Sequence, residues 1–145
     1  MSISEVKYIE KLRNSGLRPT KQRIKICEVL FNREKTFHFS ISDLTKILQN
    51  QHNLKISLAT VYNTIHAFEK KGYLKEISLK GNKTFFDTNT KSHHHFYDQE
   101  TSQLTDIKDE NISINNLPKA PGGKKIKDIE ITIKVASNNQ KQKNN

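Results

Sequence analysis

Three consecutive histidines, His93-His94-His95, stand among carboxylates: Asp87 precedes them, and Asp98 and Asp106 follow. On an extended strand alternate side chains share a face, so His93 and His95 point one way and His94 the other. Two imidazoles backed by carboxylates suit a borderline divalent ion such as Fe2+, Mn2+ or Zn2+. The sole cysteine, Cys27, excludes an internal disulfide and any zinc site built from cysteines within one chain. It falls on the apolar stripe of its own segment, which makes it a small core residue rather than a ligand. A small metallohydrolase built on the histidine cluster would need an open coordination position and a placed general base. No HExxH arrangement is present to supply them.

A second run carries a different chemistry. Ser57-Leu58-Ala59-Thr60-Val61-Tyr62-Asn63 sets small and hydrogen-bonding side chains at the start of a helix, the composition that enters a major groove. The Ala59 methyl and Thr60 suit thymine methyl groups, Asn63 suits adenine, and Tyr62 suits a phosphate or a base edge. Arg18, Lys21, Arg23, Lys55, Lys75, Lys80 and Lys83 are candidates for phosphate contacts, which hold register without reading sequence. The charge of the chain is distributed accordingly. Residues 1–86 hold 16 Lys and Arg against 7 Asp and Glu, and residues 87–145 hold 9 against 8. Such asymmetry points to a polyanionic partner for the first part. A general bias towards lysine would not leave the second part near neutral. A protein coating DNA without sequence preference or ligand would share this basic half, but its affinity would follow salt alone.

These residues must be positioned by elements within 145 residues, room for one ordinary domain or two small ones. Val6, Ile9 and Leu12 recur at intervals of three in a first helix over residues 4–15, ended by Gly16. Thr20 caps a second helix that reaches about Phe31 and buries Ile24, Cys27, Val29, Leu30 and Phe31. Ser40 and Asp43 form a capping box for a third, running to about Asn50 over Leu44, Ile47 and Leu48. A fourth runs from Ser57 to Gly72 with Val61, Ile65 and Phe68 inside and Leu58 at its start. Its outer face holds Ala59, Thr60, Tyr62, Asn63 and His66. Two short strands, 73–79 and 83–87, flank the turn Lys80-Gly81-Asn82. Three helices and a basic wing, with one extra helix in front, make a winged helix-turn-helix over residues 1–87. A polar hinge at 88–92 leads to strands at 93–97, 103–108 and 126–135; in the last, Ile129, Ile131, Ile133 and Val135 alternate with polar residues. The polar tail, residues 136–145, is expected to be disordered. No run approaches the roughly eighteen apolar residues of a membrane span. The opening MSISEVKYIE lacks a signal core, so a reducing cytoplasm is the expected location.

Gly16-Leu17-Arg18-Pro19-Thr20-Lys21-Gln22-Arg23, Ser57 to Thr64, Phe86-Asp87 and His93-His94-His95 together resemble the ferric uptake regulator family, over residues 4–135. The string from His93 to Asp98 and the loop 116–123 look like its iron response regulator branch. The resemblance implies an α+β protein: the winged helix-turn-helix plus a small C-terminal α/β dimerisation and ligand-sensing domain, residues 93–135. It implies a regulatory metal held by His38, Asp87, His93, His95 and Asp106, with His38 assigned on the resemblance alone. It also implies haem as an effector, with His93, His94 and His95 as candidate ligands. The Cys-Pro haem motif of some members is missing, since Glu28 follows Cys27. The family's structural four-cysteine zinc is absent too, its first pair being replaced by Asp98 and Thr101. The function so implied is an iron- or haem-responsive repressor or activator of iron and haem genes, a homodimer on a palindromic duplex operator. The alternative is an Mn2+- or Fe2+-responsive repressor in which haem plays no part.

Overall fold

The computed structural model describes residues 1–79, 81 and 83–138; Lys80 and Asn82 of the wing turn, and the tail from residue 139, lie outside the described residues. The chain divides into two units, Met1–Thr90 and Lys91–Asn145.

In the first unit, α1 (Ile3–Asn14) starts at Ser2, whose hydroxyl accepts the Glu5 N–H. It buries Tyr8 and Leu12, while Val6, expected inside, is 43% exposed. Steps of three residues turn through about 300°, so Val6, Ile9 and Leu12 drift around the helix. Tyr8 and Leu12, four apart, stay on one line. Gly16 adopts a φ of 75°, and the Leu17 N–H then returns to the Leu12 carbonyl at 2.8 Å. That reversal needs the left-handed region, which a side chain resists.

Helix α2 (Lys21–Phe31) is capped by Thr20, whose hydroxyl accepts the Arg23 N–H at 3.3 Å. Its buried line is Ile26, Cys27, Val29 and Leu30, with Ile24 and Phe31 only partly covered. Burial pushes the Cys27 thiol up to about 12, so it sits in the core as an uncharged apolar group.

Strand β1 (His38–Phe39) is two residues long, too short for any alternation to announce it. Helix α3 (Ile41–His52) carries the capping box in full: Asp43 N–H to Ser40 Oγ, and Ser40 N–H to Asp43 Oδ2. It runs two residues beyond the expected end, and stops where Asn53 takes a φ of 50°. Helix α4 (Leu58–Lys71) begins at Ser57 and ends at Gly72. Its inner face is Val61, Thr64, Ile65 and Phe68. Leu58, expected at the start of that face, is the first residue of the helix and is 62% exposed.

Strands β2 (Lys75–Leu79) and β3 (Lys83–Asp87) pair antiparallel, and β1 adds to the other edge of β3, giving the order β1-β3-β2. The wing therefore has three strands where the sequence suggested two. Strand β2 starts at Lys75, not Tyr73, since the Tyr73 N–H returns to the Phe68 carbonyl at 2.9 Å and closes the end of α4. Leu12, Leu30, Leu44, Leu48, Ile65 and Phe68 form the centre of the core, each fully buried.

In the second unit, β4 (His94–Asp98) lies between β5 (Gln103–Ile107), antiparallel, and β6 (Thr132–Val135), parallel. A single 3-10 turn, Asp109–Asn111, follows β5. The strand expected over 126–135 shrinks to four residues because a strand exists only where it has a ladder, and its pairs run from His95↔Thr132 to Asp98↔Val135. Ile133, expected on the covered face of that strand, is 40% exposed in the single chain. Asp98 is not with the other carboxylates. It accepts the Glu100 and Thr101 N–H groups and closes the β4–β5 turn; those backbone bonds, Thr101's the largest, hold its carboxyl below the usual range.

The fold is α+β. No helix among the described residues is long and apolar enough to cross a membrane.

Candidate functional site

The second unit assembles its ligands through one strand pair. The β4–β5 register sets His95 opposite Asp106, and His93, just ahead of β4, falls on the same face. The Nε2 atoms of His93 and His95 each lie 3.3 Å from Asp106 Oδ1, and the two rings stand 4.4 Å apart. All three residues offer ligand atoms within 4.8 Å of one another. His93 Nδ1 is 2.6 Å from the Lys91 carbonyl oxygen. A carbonyl only accepts, so Nδ1 carries a proton, which leaves Nε2 as the nitrogen available to a metal ion. Such a backbone acceptor is the usual means of orienting a ligating imidazole.

A carboxylate oxygen within 3.3 Å of two imidazole nitrogens forms a donor set able to share a cation. The spacing suits one. Two ligands about 2.0–2.1 Å from a tetrahedral ion are separated by roughly 3.3 Å, the separation seen for both His–Asp pairs. The donor set therefore fits a divalent ion.

His94 is built in the opposite sense. The Ile131 N–H donates to its Nδ1 at 3.0 Å, so the proton sits on Nε2, which donates to Asp109 Oδ1 at 2.9 Å. Both nitrogens are committed, and the ring, 3% exposed, fastens β4 to the Asp109 turn and to the backbone leading into β6. It also borders an open cleft of about 420 Å3 that includes Ser92, Asp128, Ile112 and Ile114. Nothing in the sequence marks Asp109 and Ile131 as partners of His94, because only the folded register brings them there.

In the first unit, the β1–β3 register pairs His38 with Asp87, whose side chains meet at 3.3 Å. Asp87 is fully buried, and its other oxygen accepts the Asn89 N–H at 2.8 Å. A buried carboxylate demands such compensation. Phe39 and Phe86, the neighbours of His38 and Asp87, turn to the opposite side of the ladder and stack on each other at 5.8 Å.

The first unit also carries the candidate DNA contacts. Ser57, Ala59, Tyr62 and Asn63 are exposed on one side of α4, and Thr60 is half-buried. Ser57 and Thr60 are partly engaged in the cap: Ser57 Oγ accepts the Thr60 N–H and donates to Thr60 Oγ1 at 2.8 Å. Arg18, Lys21 and Lys83 are exposed. Arg23 is half-buried, and its Nη1 donates to the Arg18 carbonyl, so it shapes the loop before α2 as well as charging it.

A family model described as "Ferric uptake regulator family" matches residues 14–135. The chain is similar to the ferric uptake regulation protein of Cupriavidus metallidurans, 39% identical over 83 residues, covering 57% of each chain. It is also similar to the peroxide operon regulator of Bacillus subtilis, 32% identical over 108 residues, covering 74% of this chain and 72% of that one. The matches thus span 57% and 55% of the length of the Cupriavidus protein and of its Yersinia pestis counterpart. Among solved structures, the ferric uptake regulator of Vibrio cholerae superposes with a TM-score of 0.66 at 22% identity, over 89% of this chain and 98% of that one. The Pseudomonas aeruginosa ferric uptake regulator, solved with manganese, gives 0.63 at 23% identity, over 90% and 97%.

Proposed function

The chain belongs to the ferric uptake regulator family, and from that membership we propose that it is a metal-responsive, DNA-binding transcriptional regulator rather than an enzyme. Residues 1–87 bind duplex DNA through α4 and the wing, 88–92 act as a hinge, and residues 93–135 dimerise and sense the ligand in the cytoplasm. A homodimer presents two copies of α4 to a palindromic operator, because protein symmetry is matched by operator symmetry.

The effector is a divalent ion: Fe2+, Mn2+ or Zn2+. The observation that carries this is the pair of Nε2 atoms converging on Asp106 Oδ1, with His93 oriented by the Lys91 carbonyl. His38 and Asp87 are the further ligands the family pattern assigns. Bound there, the ion supplies charge neutralisation and a fixed arrangement of its ligands. Ligand and DNA are then coupled only as far as the ion prefers one arrangement of the protein over another. The haem-responsive reading rests on the likeness to the iron response regulator branch. It is weakened at His94, whose nitrogens both hold backbone or carboxylate partners, so that haem ligation there would cost those bonds.

The test is Mn2+ and haemin titration of the wild type and of His93→Ala, with binding followed on a duplex that the wild type enriches from a random library. Mn2+ should change DNA affinity at least about fivefold in the wild type and not in the variant. A Soret shift with release of DNA by haemin, and no response to Mn2+, would replace the ion by haem.

A further inference from the structure

The exposed phenol on the proposed reading helix is held by a ring that no part of the function yet uses. Tyr62 is 51% exposed. His66, one turn further along α4, lies against it with ring centroids 4.1 Å apart and planes tilted by 46°. The half-buried His66 is pinned from behind: the Phe86 ring meets it edge-on at 5.8 Å and 88°. Phe86, 1% exposed, stacks in turn on Phe39, and Phe39 on Phe37 at 5.4 Å. An unbroken file of rings thus runs from the β1–β3 ladder through the core to the outer surface of α4.

The physical consequence concerns order. A half-exposed tyrosine on a helix surface samples several rotamers, and fixing it on binding costs conformational freedom. A neighbour at i+4 packed against its ring removes much of that freedom beforehand. We infer that His66 is the positioning residue for Tyr62, pre-setting the phenol for a base edge or phosphate without itself touching DNA. The inference rests on the DNA-reading role proposed for α4 and deepens it. It also explains why a polar, half-buried histidine stands where the helix meets Phe86: an imidazole packs its ring against Tyr62 and tolerates the partial exposure.

The experiment compares wild type, Tyr62→Ala, His66→Ala, His66→Phe and the double variant Tyr62→Ala/His66→Ala as full-length protein. Affinity is read by fluorescence anisotropy on a duplex the wild type enriches from a random library, and the Tyr62 ring protons are followed by NMR. His66→Ala should weaken binding about threefold to tenfold, the scale of one aromatic pair. It should add no further loss to Tyr62→Ala, and the Tyr62 ring resonances should move. His66→Phe, which keeps a flat ring, should restore both affinity and resonances, and serves as well if His66→Ala folds poorly. Additive losses, or a His66→Phe protein as weak as His66→Ala with Tyr62 resonances unmoved, would show that His66 contacts DNA itself and overturn the proposal. If no duplex is enriched, the DNA-reading role fails, while the ring resonances separately decide whether His66 holds Tyr62.

Discussion

Within the triple-histidine run, adjacent residues of one type do opposite work, and the difference is set by the partner each ring nitrogen meets. His93 donates from Nδ1 to the Lys91 carbonyl and sets Nε2 3.3 Å from Asp106 Oδ1. His94 accepts at Nδ1 and donates from Nε2. This predicts separable phenotypes. His94→Ala strands a backbone N–H and loses the Asp109 bond, so it should cost roughly 1–3 kcal/mol of stability. Its Mn2+ affinity, measured by calorimetry at a temperature where it is folded, should stay near that of the wild type. A His94→Ala protein that is as stable as the wild type but fails to bind Mn2+ would make His94 a ligand instead of a fastener.

Among the elements, the first helix shows how a periodic pattern misleads when taken at a fixed step. A three-residue repeat was readable in Val6, Ile9 and Leu12, yet the helix buries Tyr8 and Leu12. The energetic contrast should be large. Leu12→Ala empties a site with no exposure and should cost about 2–5 kcal/mol in urea denaturation. Val6→Ala, at 43% exposure, should fall within about 0.5 kcal/mol of the wild type. Equal losses at the two positions would mean that α1 packs on the face the three-residue spacing suggested. The helix ends were more legible than the helix faces. Ser40, Ser57 and Thr20 cap where their types and positions indicate, since capping is a local bond between a side chain and a backbone three residues on.

For the whole molecule the governing quantity is charge. The surplus of cationic side chains in residues 1–86 should give DNA binding a steep salt dependence, through release of counterions from each neutralised phosphate. Lys21, exposed at the start of α2, should act uniformly. Lys21→Ala is expected to weaken binding alike on preferred and scrambled duplexes, and to reduce the log–log salt slope by about one per bound chain. An unchanged slope would remove Lys21 from the phosphate contacts. A variant on the reading face such as Asn63→Ala should instead narrow the gap between the two duplexes.

How much was legible follows from the range of the forces involved. Helix caps, the stop at Gly72, the alternation of His93 and His95 against His94, and the basic character of the first unit depend on neighbours within a few residues, so the sequence by itself determined them. The two-residue strand β1, the partners Asp109 and Ile131 of His94, and the file of rings behind Tyr62 join residues far apart in the chain. Each depends on strand register and core packing, where a shift of one residue would send every side chain to the other face. Only the tertiary structure could decide those, because the chain carries no local record of which backbone it will meet.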